Sequence, residues 1–194
     1  MRLLVTSAAD SNGHGYGKLL AFDLSGRPLG TFSDDSRVAD PRGLAVNWDE
    51  GLLFLNSGTN RVLALDPNGR VFRDTGPIEG LNPGGGNFGP DRRYYVGLRT
   101  ARMIMAFSAG LDTPGEYVLP AGIVPFPRGF AFGRDRRLFL ATGIGPNGEG
   151  ADTIVVFARR TPGPGLLSSR IGRIPQTSRP TLCSGRSPLL RRPG

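Results

Sequence analysis

The chain has 194 residues, of which 38% are hydrophobic, 30 are glycine and 17 are proline. Glycine at roughly twice its usual share favours short strands and tight turns, and the apolar content suffices for a core, which excludes wholesale disorder. The formal net charge is +8, yet residues 159–194 carry eight arginines and no acid, so 1–158 is neutral and the whole basic excess lies in the last 36 residues.

Further exclusions follow from single residues. Cys183 is the one cysteine, which excludes an internal disulfide and a cysteine-built zinc site. His14 is the one histidine, which removes most histidine-dependent triad and metal chemistry. No apolar run approaches the roughly 18 residues of a membrane-spanning helix. At the start, the apolar run Leu3-Leu4-Val5 is too short for a secretory signal. The expected location is therefore cytoplasmic, unless an upstream start precedes Met1.

Taken in chain order, short strand-like runs dominate. Leu3–Ser7, Leu19–Asp23 and Leu29–Phe32 come first. Arg42–Val46, Leu52–Leu55, Val62–Asp66 and Val71–Arg73 form a second group. A third contains a weak Gly85–Phe88 segment, then Tyr94–Leu98, Ile104–Ser108 and Tyr117–Leu119. The fourth holds Arg128–Phe132, Leu138–Ala141 and Ile154–Ala158. Between strands stand Ser25-Gly26, Asp49-Glu50-Gly51 and Pro67-Asn68-Gly69, turns whose Gly or Asn accepts positive φ. Arginine follows aspartate at Asp91-Arg92 and Asp135-Arg136, where glycine would be expected. The Gly-rich segments 13–17 and 82–86 read as turns, because neither leads into a helix with the Lys-Ser/Thr of a phosphate loop. Trp48, beside a hairpin turn, is expected to pack, with an exposed stacking role as the alternative.

Four strands in each repeat of about 40–45 residues are the signature of a β-propeller blade. The expected fold is all-β, a propeller fragment of about three and a half antiparallel four-stranded blades followed by a disordered C-terminal tail. The units are 1–40, 41–82, 83–126 and 127–158, within a partial propeller over 1–158. The basic, aperiodic stretch 159–194 reads as disordered or as the product of a frameshift, and is expected to pack on nothing. Open strand edges would favour self-association.

Pro41-Arg42-Gly43-Leu44-Ala45-Val46, with Ser57-Gly58-Thr59-Asn60-Arg61-Val62 and Asp66-Pro67-Asn68-Gly69 after it, resembles the NHL repeat. Pro127-Arg128-Gly129-Phe130-Ala131-Phe132 carries the same motif. The body also resembles the senescence marker protein/gluconolactonase group of six-bladed propellers. That resemblance implies a channel rim that binds ligand on loops held by a rigid scaffold. The rim candidates are Asn12, Arg42, Asn56, Asn60, Arg99, Arg102, Arg128 and Asp152, with Arg42 and Arg128 at the channel mouth.

Two arginines facing one cavity suit an anion, since each offers a planar fork to carboxylate or phosphate. The plainer alternative is that each pairs with a neighbouring acid. Lactonases of the resembling group bind a divalent metal through Glu and Asn/Asp residues. Here Arg42 and Arg128 stand at the motif position, so no metal ligand, no catalytic residue and no cofactor is expected. Calcium would enter only with ligands from blades outside this sequence. The function expected is that of a non-catalytic NHL-like module binding a small molecule or peptide at the channel rim. The alternative is the remnant of a gluconolactonase-like, metal-dependent lactone hydrolase. A neutral body argues against nucleic acid, and no membrane partner is expected.

Overall fold

Alternation along each strand decides how the sheets stack. In the computed structural model, residues 1–9, 17–112, 114–118, 126–145, 148, 152–157 and 172–174 are described. They form antiparallel sheets in sequence order and, among the described residues, no helix. The first sheet holds β1 (Leu3–Ser7), β2 (Lys18–Phe22) and β3 (Pro28–Thr31). The second runs β4 (Gly43–Asn47), β5 (Leu52–Ser57), β6 (Arg61–Leu65) and β7 (Val71–Asp74). The third runs β8 (Pro83–Phe88), β9 (Tyr94–Leu98), β10 (Met103–Phe107) and β11 (Glu116–Tyr117). The fourth is β12 (Pro127–Phe132), β13 (Leu138–Thr142), β14 (Ile154–Phe157) and β15 (Gly172–Ile174).

The central strands of the second and third sheets are apolar on both faces because each of these sheets packs between two others. Along β5, Leu52 and Phe54 join Tyr94, Val96 and Leu98 of β9 in one core cluster. The intervening Leu53 and Leu55 join Leu19 of β2 and Leu63 and Leu65 of β6 in another. On β10, Met105 and Phe107 face the second sheet, while Ile104 and Ala106 pack with Leu138, Leu140, Val155 and Phe157 of the fourth. A strand period of two thus feeds two cores from one run. The first strands β4, β8 and β12 lie beside one another and line the inner side.

The turns follow local chemistry. Asp23 Oδ1 accepts from the backbone N–H groups of Ser25 and Arg27, and Asp66 Oδ1 from those of Asn68 and Arg70. Arg92 (φ 65°) and Arg136 (φ 64°) occupy the left-handed position that Gly51 (φ 67°) fills in the second sheet. Asp91 and Asp135 carboxylates accept from the N–H groups of Arg93 and Arg137, which supports those turns without glycine. Near the β3–β4 connection, hydrogen bonds from Arg37 hold the Asp35 carboxyl down at about 2.

Several expectations change. The segment 82–86 is not a turn: Pro83–Phe88 is a strand, and its glycines are needed for close approach. A Cβ on Gly85 would lie 2.8 Å from the Arg128 carbonyl oxygen and 3.0 Å from Gly129 Cα. Trp48 does not pack; it is 86% exposed. The fourth unit does not end at 158, because β15 pairs Gly172, Arg173 and Ile174 with Val156, Val155 and Ile154. The expectation that 159–194 packs on nothing is corrected at those three residues; the rest of that stretch lies outside the described residues, as does Cys183. Deleting 158–194 should therefore lower stability by about 1–2 kcal/mol, since β14 loses the backbone hydrogen bonds of its outer neighbour. Chemical denaturation of the full and shortened chains checks this.

Candidate functional site

Three corners of the fold have the same construction. Each inner strand is entered through a residue at positive φ followed by proline: Asp40 (φ 46°) before Pro41, Asn82 (φ 30°) before Pro83, and Phe126 (φ 35°) before Pro127. Aspartate and asparagine tolerate that region, whereas a bulky residue there is an outlier that points to a local demand. The residue after proline is Arg42, Gly84 and Arg128 in turn.

These corners converge on a cavity of about 320 Å³ lined by Thr6, Pro41, Arg42, Gly84, Arg99 and Arg128, among others. Arg42 Nη2 donates to Asp40 Oδ2 at 2.7 Å, and Asp40 Oδ1 accepts from the Ala9 N–H at 2.7 Å. The ion-pair alternative thus holds for Arg42. Arg128 is the extra residue of a bulge, because Pro127 pairs with Thr142 and Gly129 already with Ala141. A bulge re-aims the side chain it carries. The Arg128 guanidinium lies 5.1 Å from the centre of the Phe126 ring, and that of Arg99 lies 4.9 Å from the same ring.

Arg99 follows β9 and reaches the cavity over Gly84, where a Cβ would be 3.3 Å from Arg99 Cγ. Its Nε is buried without a hydrogen-bond partner. Burial, then the positive charges of Arg42 and Arg128, push the Arg99 pKa below its ordinary value, with Asp40 opposing. The guanidinium nevertheless stays protonated, as arginine does in proteins. Asp40 and Phe126 were not singled out by sequence; the signal available was their common place before the motif proline.

Other rim candidates lie elsewhere. Asn56 is fully buried, donating from Nδ2 to the Gly84 carbonyl at 3.0 Å and accepting from the Tyr94 hydroxyl at 3.1 Å. It sits in the seam between the second and third sheets. Asn60 (φ 60°) forms the β5–β6 turn, and its Oδ1 accepts from the Asn82 N–H at 3.0 Å. Arg102 (φ 56°) occupies the β9–β10 turn, and Asp152 is exposed; neither lines this cavity. Asn12 and His14 lie outside the described residues. Among the described residues, no group of three His, Cys, Asp or Glu side chains is arranged to hold a metal ion.

Successive antiparallel sheets, stacked face to face with their first strands adjacent, define a β-propeller arrangement. No protein-family model and no curated protein matches the chain. Solved structures do. Virginiamycin B lyase from Staphylococcus aureus is 17% identical with a TM-score of 0.56, over 82% of this chain and 56% of that one. A streptogramin B lyase is 16% identical with a TM-score of 0.58, over 88% of this chain and 54% of that one. A protein of unknown function from Bacteroides caccae is 16% identical with a TM-score of 0.54, over 89% and 61%. The likeness is one of fold, and the chain spans between about half and three-fifths of the length of these structures.

Proposed function

We propose that this chain is a non-catalytic ligand-binding module of the propeller class, which takes an anionic small molecule or a peptide carboxylate at the channel mouth. One observation carries the reading: Arg42, Arg99 and Arg128 line a single cavity of about 320 Å³, where Asp40 is the carboxylate that pairs with Arg42. Each guanidinium can give a carboxylate or phosphate two parallel hydrogen bonds. Phe126 holds two of them in place from one side. Gly84 and Gly85 line the same cavity.

Titration calorimetry of the full chain with small carboxylates and phosphates at constant ionic strength tests this. Saturable binding is expected, weakened by about tenfold or more in Arg128→Ala, the loss of one charge-assisted contact. A chain that binds no anion would overturn the reading.

A further inference from the structure

We propose that the mouth is built for a ligand carrying two negative charges, with Arg99 as its third cationic contact, supplied by an exchange of Arg and Gly between two positions. This rests on the anion-binding reading above and deepens it. The exchange is visible in the register. Pro83 pairs with Leu98 in the third sheet, and Pro127 pairs with Thr142 in the fourth. The residues that follow each pair of strands are therefore equivalent: Gly84 with Arg128 after the prolines, and Arg99 with Gly143 after the second strands. The fourth sheet has Arg first and Gly second, and the third sheet has Gly first and Arg second.

Each glycine packs against the arginine of the other position. A Cβ on Gly84 would lie 3.3 Å from Arg99 Cγ, besides meeting the Arg128 and Pro127 carbonyl oxygens at 2.9 and 3.0 Å, and one on Gly143 would run into Arg128 Nε. Sterically, each sheet accommodates one long side chain at this corner. Both arrangements deliver a guanidinium to the same place, over the Phe126 ring. With Arg42 contributed by the second sheet, three positive groups face one carboxylate, Asp40, whose oxygens bond Arg42 and the Ala9 N–H. The local excess is two positive charges. A monoanion leaves one uncompensated in a partly desolvated site, whereas a dianion neutralises the mouth. Arg99 Nε, buried and without a hydrogen-bond partner, is a donor that such a ligand would satisfy.

The shared chemistry is a pair of acidic oxygens groups, from a phosphate or from a dicarboxylate. Calorimetry of the full chain with inorganic phosphate at pH 8, succinate, monomethyl succinate and acetate, all at fixed ionic strength, separates these. Phosphate or succinate is expected to bind about tenfold or more tightly than both monoanions, and which of the two binds tells the sources apart. Arg99→Gln is expected to remove about tenfold from dianion affinity while changing monoanion affinity by less than about twofold, with its thermal midpoint confirming that it folds. If Arg99→Gln fails to fold, Asp40→Asn is read instead, and its added net charge should favour dianions further. Monoanions binding as tightly as dianions, or an unchanged preference in the variant that is read, would overturn this inference and leave the anion-binding reading standing. Absence of any anion binding by the native chain would overturn both.

Discussion

Phe54→Ala is expected to lower the stability of the fold by about 3–5 kcal/mol, the range for truncating a large buried aromatic. Phe54 is fully buried on β5. Its ring centre lies 4.9 Å from that of Phe88 on β8 and 5.0 Å from that of Tyr94 on β9. Phe88 and Tyr94 are themselves 5.2 Å apart, so the rings close a triangle across the seam between the second and third sheets. Truncation removes apolar burial and the edge contacts, and leaves a cavity that two pleated sheets cannot close by side-chain motion alone. Urea denaturation of the full chain measures it. Phe54→Leu should cost less, since it refills part of the volume. Phe72→Ala, at a residue 63% exposed, should change stability by about 0.5 kcal/mol or less.

Asn56→Ala should cost about 2–4 kcal/mol, although Asn56 is polar and only two residues along the same strand. Its amide is fully buried and joins the Gly84 carbonyl of β8 to the Tyr94 hydroxyl of β9. Deleting it strands an acceptor and a donor in a dry seam, and each unsatisfied group costs about 1–3 kcal/mol. Burial raises the Tyr94 pKa, so the hydroxyl remains a donor well into the alkaline range. Tyr94→Phe should cost about 1–2 kcal/mol by removing that donor and leaving the Asn56 acceptor short of a partner. The double variant Asn56→Ala/Tyr94→Phe should lose less than the sum, because the second change removes a group that the first had orphaned. Strict additivity in the same denaturation series would show that the two side chains do not act together.

Because Gly84 forms the floor of the cavity and also accepts from Asn56, these seam residues bear on the mouth. Asn56 was expected at the rim because Asn56–Asn60 reads as the loop between the second and third strands. Its own place is the end of β5, and the strand period turns it inward with Leu52 and Phe54. The sequence carried the pattern; it did not carry which face met a neighbour. Arg42 and Arg128 were legible because Pro-Arg-Gly recurs at 41–43 and 127–129 at the head of an apolar segment. Arg99 was legible only as a loop residue, since nothing local says that Gly84 leaves room for it.

Local choices were readable in the residues alone: short apolar runs at a blade-length spacing, turns closed by Gly, Asn and Asp, and an inner strand headed by Pro-x-Gly. Backbone propensity and a period of two act over a few residues, so they can be read from a few residues. The remainder was set by packing between sheets. The glycines at 84–86 have the composition of a turn, yet Gly84 and Gly85 lie against the backbone of β12 and Gly86 against the Tyr94 side chain, too close for a side chain of their own. Residues 172–174 looked like part of a basic tail until the open edge of β14 paired with them. Phe126 became a support for two arginines because the β12 bulge and the β9 end meet over its ring. Each of these depends on strands brought together across intervals in the chain, where excluded volume and unpaired hydrogen bonds, rather than local preference, set which residue fits.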